Sequence, residues 1–294
     1  MAGLKTFLKR VFLFVTRGVP VNHVSVNLVN LPPNDLLKGR WALITGGAGG
    51  IGYAIAKAFL SAGASVILTG RDEDKLQGKK NELDNMRLGA GKVHVCVMDN
   101  MDVASFASAF GRCLSLAGGN GIDILVNNAG VDGEAMPNVT EEEYDRVLDT
   151  NLKGTFFLSQ MVGKYMVEKQ IRGNILNISS SSSLRPANSP YILSKWGIRA
   201  LTLGLAKSLV SHGITVNSIA PGPTVTPLAK LKDTSDIACD AIPMGRYVMP
   251  EEIANMAVVL VSGLGRSIVG DTVFMTGGIG NLTVDDYAKR YAFE

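Results

Sequence analysis

The stretch "LITGGAGGIGYAIA", residues 43–56, carries the reading of the fold. It begins inside an apolar run that starts at Trp41, and from Ile51 onward the apolar residues recur at helical spacing. A strand therefore passes through a glycine turn directly into a helix. Glycines at the start of such a helix have separate uses. Gly46 permits the tight turn, Gly50 lets the backbone approach a pyrophosphate, with Ile51 beside it, and Gly52 lets helix and strand pack closely. The helix N-terminus offers unpaired N–H groups to phosphates. The spacing is TGxxxGxG and not GxGxxG, so its strand-turn-helix context gives the pattern its weight.

Outward from this turn the pattern repeats. Apolar runs at "ASVILTG", "KVHVCVMD", "IDILVNNAG", "GNILNISS", "ITVNSIAPG" and "DTVFMTGG" alternate with helical stretches. Continuous apolar strands alternating with helices predict a parallel sheet covered on both faces. The expected fold is α/β: a doubly wound, Rossmann-type parallel sheet of seven strands with helices on both faces, in a single domain at 37–280. Residues 281–294 read as a C-terminal tail and residues 1–36 as an N-terminal extension.

In that extension "LKTFLKRVFLFVTR" has amphipathic periodicity, and Val24, Val26 and Leu28 alternate with polar residues as in a short strand. The apolar core from Val11 to Val15 is too short to span a bilayer. Packing on the protein or on another subunit is the expectation, with a surface-membrane contact as the alternative.

Composition narrows the function classes. The 294 residues are 46% hydrophobic and 19% charged, an ordinary globular balance, and a net charge of +3 gives no case for a nucleic-acid partner. Cys96, Cys113 and Cys239 lack CxxC or metal-ligand spacing, which fits buried thiols in a reducing, cytoplasmic setting. His23, His94 and His212 are dispersed, and no metal site is read.

Cofactor choice is read at the end of the second strand, "SVILTGRDEDKL". A carboxylate there would take the ribose 2′-hydroxyl of NAD. Gly70 stands in that place and Arg71 follows, and a guanidinium can fork onto a 2′-phosphate. NADP(H) is therefore favoured over NAD(H). Asp99, ending the third strand with Asn100 after it, is placed to accept from an adenine amino group.

Thr45, Gly46, Gly50 and Gly52, then "NNAG" at 127–130, Asn151, and Tyr191-x-x-x-Lys195 follow one another in this order. With "PGPTVT" at 221–226 and "GR…PEEIA" at 245–254, the chain resembles the short-chain dehydrogenase/reductase family from about Leu37 to Gly278. The resemblance implies an NAD(P)(H)-dependent oxidoreductase acting on a small carbonyl or alcohol. It also implies a homo-oligomer, tetramer or dimer, built partly from the helix bearing Tyr191 and Lys195.

The same resemblance assigns a Ser, Tyr, Lys and Asn set to Ser180, Tyr191, Lys195 and Asn151. Tyr191 would exchange the hydroxyl proton, Ser180 would hold the substrate oxygen, and Asn151 would hold a relay water. Lys195 would reach the nicotinamide ribose. One helical turn separates Tyr191 from Lys195, so the ammonium is expected to lower the phenol pKa. Asn128, Ala129 and Gly130 would line the adenine-ribose side. Pro221, Gly222, Thr224 and Thr226 match the segment contacting the carboxamide. In the family the Ser stands about thirteen positions before the Tyr, and here Ser180 stands eleven before it. Ser179, Ser181 and Ser182 remain alternatives. "TGG" at 276–278 replaces a frequent Asp-Gly-Gly.

Two function classes follow: a catalytic reductase or dehydrogenase, and a non-catalytic dinucleotide sensor or scaffold of the same fold. Presence of all four residue types favours the enzyme. The segment 228–244, "LAKLKDTSDIACDAIPM", is the expected cover over the substrate.

Overall fold

The structure, a computed structural model, describes Val26, Leu28, residues 31–229 and residues 237–282. Seven strands form one parallel sheet: β1 (Trp41–Thr45), β2 (Ser65–Gly70), β3 (Val93–Val97), β4 (Ile124–Asn127), β5 (Asn174–Ile178), β6 (Thr215–Pro221) and β7 (Thr272–Met275). Their order is β3-β2-β1-β4-β5-β6-β7, so the chain winds outward one way from β1 to β3 and then the other way from β4 to β7. The reversal lies between β1 and β4, where a doubly wound sheet opens a crevice at the carboxyl ends of its strands.

Strand alternation divides the core into two layers. Ala42 and Ile44 of β1 face one side, with helices α1 (Gly50–Ser61), α2 (Glu73–Met86) and α7 (Pro250–Val261). Trp41 and Leu43 face the other, with α3 (Phe106–Leu116), α5 (Gly154–Glu168) and α6 (Pro190–Leu209). Period-two alternation along a strand buried on both faces requires this division.

The helical region over residues 141–168 is interrupted. Helix α4 (Glu141–Leu148) runs into a π turn at Asp149–Lys153 before α5 begins. Gly154 meets the Asn100 carbonyl, at 2.0 Å from where a Cβ would stand, so the chain there must lie against the end of β3. Pi turns recur where a helix is re-aimed at a functional site, and this one carries Asn151.

Residues just ahead of Leu37 pack on the domain. Asn34 N–H donates to Ser61 O at 2.9 Å, Leu37 is fully buried, and Leu31 packs on the first core layer. The helix expected within residues 1–17 and the tail beyond 282 lie outside the described residues. Of the Val24–Leu28 strand only Val26 and Leu28 are described, and neither lies in a strand. Among the described residues no helix is long and apolar enough to cross a membrane.

Candidate active site

The glycine turn sits at the carboxyl end of β1. Gly46 and Gly50 have φ of +62° and +51°, conformations costly for other residues. Gly49 is the N-cap of α1, with no side-chain cap and no acid in the first turn, so no side chain of the turn satisfies the first N–H groups of the helix. The turn is braced by β4. Asn128 Nδ2 donates to Thr45 O (2.9 Å) and Gly46 O (3.1 Å), while Thr45 Oγ1 accepts from the N–H groups of Asn128 and Ala129, each at 3.0 Å.

A Cβ on Gly52 would lie 2.4 Å from Asn128 Nδ2. Gly52 thus makes room for that amide, and Asn128 shapes the cradle with its side chain turned inward. Thr45 was legible as a motif letter, but its role as the hub of this brace was not.

Across the cleft, Thr226 Cγ2 lies 3.3 Å from where a Cβ on Gly50 would stand, so the 221–226 loop faces the turn. Gly222 passes Thr276, whose Cα would be 2.8 Å from a Cβ there. Thr224 Oγ1 donates to Gly222 O at 2.8 Å. Arg246 holds Glu252 through two bonds (2.9 and 2.8 Å), and Glu252 accepts from Met249 N at the start of α7. That pairing fixes the "GR…PEEIA" segment as the base of the loop's support.

Gly70 ends β2 and Arg71 is exposed. Asp99 Oδ1 accepts from Met101 N at 3.0 Å, a local turn bond that leaves its second oxygen free of this duty. Asn100 is buried and its amide donates to Thr150 O at 3.4 Å, so its side chain ties β3 to the π turn and does not line open space. Ile51 lies half-buried in the first turn of α1, and Pro221 closes β6.

The serine run has divided duties. Ser179 Oγ donates to Lys195 O at 3.0 Å, and Ser183 Oγ donates to Ser180 O at 2.7 Å, so these two buried hydroxyls hold backbone. Ser180 accepts from Ser182 N at 3.1 Å, and its hydroxyl favours the Tyr191 phenolate against the effect of burial. Ser189 caps α6 by accepting from Ile192 N, with Pro190 in the first turn, which delivers Tyr191 at the helix start.

Lys195 Nζ lies 5.6 Å from the Tyr191 ring centroid and donates to Ile178 O at 2.9 Å. Asn151 joins this group from the π turn. Its Oδ1 accepts from Val131 N (2.8 Å), and its Nδ2 donates to Val131 O (2.9 Å) and Ser194 Oγ (3.2 Å). Ser194 in turn donates to Tyr191 O at 2.6 Å, a coupling that the residue's place just before Lys195 did not reveal. Gly130 passes between, 3.4 Å from Asn151 Oδ1 and 3.6 Å from Lys195 Nζ measured from its Cβ position.

Electrostatics correct one expectation. The Tyr191 phenol lies above its ordinary range, because burial disfavours the phenolate more than the Ser180 hydroxyl favours it, and Asp132 adds to the rise. Burial also lowers Lys195 to about 8. The ammonium that was expected to lower the phenol is directed instead at a backbone carbonyl.

A model of the short chain dehydrogenase family matches residues 40–236. The 3-oxoacyl-[acyl-carrier-protein] reductase FabG of Thermotoga maritima is 35% identical over 248 residues, covering 83% of this chain and 98% of that protein. Gluconate 5-dehydrogenase of Gluconobacter oxydans is 32% identical over 250 residues, 83% of this chain and 95% of the relative. Among solved structures, a 3-oxoacyl-[acyl-carrier protein] reductase from Brucella melitensis superposes with a TM-score of 0.79 at 28% identity, covering 88% and 98% of the two chains.

Proposed function

The chain belongs to the short-chain dehydrogenase family, an oxidoreductase family acting on CH–OH and C=O groups, and from that premise we propose that it reduces a ketone, or oxidises the matching secondary alcohol, with NADP(H). The observation that carries the proposal is the convergence of Ser180, Tyr191 and Lys195 beside a glycine turn whose helix N-terminus is free. A nicotinamide dinucleotide fits this cleft and supplies the hydride when bound.

The chain's own residues handle position and protons. Ser180 hydrogen-bonds the substrate oxygen. The Tyr191 phenol gives its proton to that oxygen during reduction and takes it back during oxidation. A phenol with a raised pKa is protonated at neutral pH, which suits the reductive direction. Lys195, lowered to about 8, exchanges protons near working pH and holds the ribose side. Asn151 keeps one Oδ1 lone pair for a water that links Lys195 to solvent, since both its amide protons are committed.

Gly46, Gly50, Ile51 and Gly52 cradle the pyrophosphate. Arg71 takes the 2′-phosphate where Gly70 offers no carboxylate, which is the reason to favour NADP(H). Asp99, Ala129 and Gly130 border the adenosine, and Pro221, Gly222, Thr224 and Thr226 border the carboxamide. The names of the relatives, reductases and dehydrogenases of keto and hydroxy compounds, support the substrate class.

A homo-oligomer, tetramer or dimer, is supported by an apolar face on α5 and α6. Phe156, Phe157, Trp196 and Leu203 are exposed there, and Leu152 and Leu201 line the hollow between the helices. A cytoplasmic setting is supported by the free, buried thiols Cys96 and Cys113. The sensor reading is disfavoured because all four acting residues are kept together.

The deciding experiment is Tyr191→Phe. Ketone-dependent NADPH oxidation should be lost while NADPH binding, followed by its fluorescence, stays close to wild type. Turnover at the wild-type rate in this variant would refute the mechanism.

A further inference from the structure

Lys75 stands in the first turn of α2, directly after the β2 end that carries Gly70 and Arg71. Three acids precede it, Asp72, Glu73 and Asp74, yet its ammonium makes no ion pair or hydrogen bond among the described residues. Its backbone N–H is held by Asp72 Oδ1 at 2.9 Å. The side chain instead crosses to the glycine turn. Its Nζ lies 3.9 Å from where a Cβ on Gly49 would stand, and apart from the adjoining chain no other described group comes within 4 Å of that point.

This is an unfavourable place for a second cation. Gly49 caps α1, and a helix N-terminus carries roughly half a positive charge. No acid of the first turn and no capping side chain offsets it. Exposed Arg71 lies at the same β2–α2 corner. The Lys75 ammonium and the α1 N-terminus therefore border one open space, with Arg71 at the neighbouring corner, while Asp72 accepts from Lys75 N and Glu73 and Asp74 are exposed. An anion in that space removes the repulsion.

We propose that Lys75 is a specificity-determining residue that binds the adenosine 2′-phosphate together with Arg71, bridging the β2–α2 corner to the glycine turn at Gly49. This rests on reading the cleft as an NADP(H) site. The 2′-phosphate is favoured over the pyrophosphate because Lys75 projects from the ribose corner, whereas the backbone N–H groups of the turn serve the pyrophosphate.

The test is equilibrium binding of NADPH, NADH and 2′,5′-ADP to the full chain, by nicotinamide fluorescence and by displacement. Lys75→Ala should weaken NADPH and 2′,5′-ADP about five- to tenfold and leave NADH within about twofold, as expected for one exposed charge-assisted contact. The NADPH preference should shrink as salt is raised. Gly49 has an extended φ of −170°, open to any residue, so Gly49→Lys in the Lys75→Ala background returns a cation from the other side and should restore NADPH affinity. Equal weakening of NADPH and NADH would assign Lys75 to the pyrophosphate and overturn the proposal, as would no change in either. A wild-type chain with no preference for NADPH refutes the cofactor reading itself, before any variant is compared, and the proposal falls with it.

Discussion

Replacing Lys195 by methionine should make the protein more stable at pH 7 while destroying its activity. The Lys195 amine is buried, with a pKa of about 8 against an ordinary 10.5. Below pH 8 it is charged in both states, and the native state carries the desolvation cost in full. Between pH 8 and 10.5 the native amine is neutral while the unfolded one still holds its proton, so the unfolded chain binds more protons and stability rises with pH. A shift from 10.5 to about 8, at about 1.4 kcal/mol per unit, corresponds to about 3 kcal/mol. Methionine fills similar volume without a charge. It also loses the bond to Ile178 O, worth about 1–2 kcal/mol, which leaves a net gain of about 1–2 kcal/mol at pH 7. Urea unfolding of wild type and variant at pH 7 and pH 10 checks this. The advantage of the variant should disappear, or reverse, at the higher pH. A difference between the two proteins that is the same at both pH values would refute the reasoning, because the Lys195 charge would then carry no cost.

Two serines of the run, Ser180 and Ser179, should separate by readout: Ser180→Ala should lower kcat by about a hundredfold or more with little change in melting temperature. Ser179→Ala, which removes the bond to Lys195 O, should cost about 1 kcal/mol of stability with a smaller effect on kcat, measured by turnover and thermal melting. Gly52→Ala should cost about 1–3 kcal/mol and weaken NADPH binding, because its methyl displaces the Asn128 amide, whereas Gly78→Ala, with open space around its Cβ position, should stabilise α2 by about 0.5–1 kcal/mol. Phe157→Ser with Leu203→Ser should shift the assembly to smaller species in light scattering while the monomer fold, by circular dichroism, is kept.

Much of the architecture was legible because it depends on local pattern. The apolar runs of β1, β2 and β5, buried on both faces, and the glycine turn into α1 are properties of consecutive residues, and a parallel doubly wound sheet is the arrangement that buries them all. The one-turn spacing of Tyr191 and Lys195 likewise follows from helix geometry alone. What only tertiary structure decided depends on contacts between distant segments. The break between α4 and α5 arises where Gly154 meets Asn100, 54 positions away, and no periodicity records that. The separate duties within the serine run are likewise tertiary: Lys195 O and Ser180 O claim the hydroxyls of Ser179 and Ser183. The protonation of the site was decided by burial. Spacing alone suggests an ammonium stabilising a phenolate, but in the folded chain the Ile178 carbonyl takes the ammonium and desolvation raises the phenol, since the energy of a charge depends on everything packed around it.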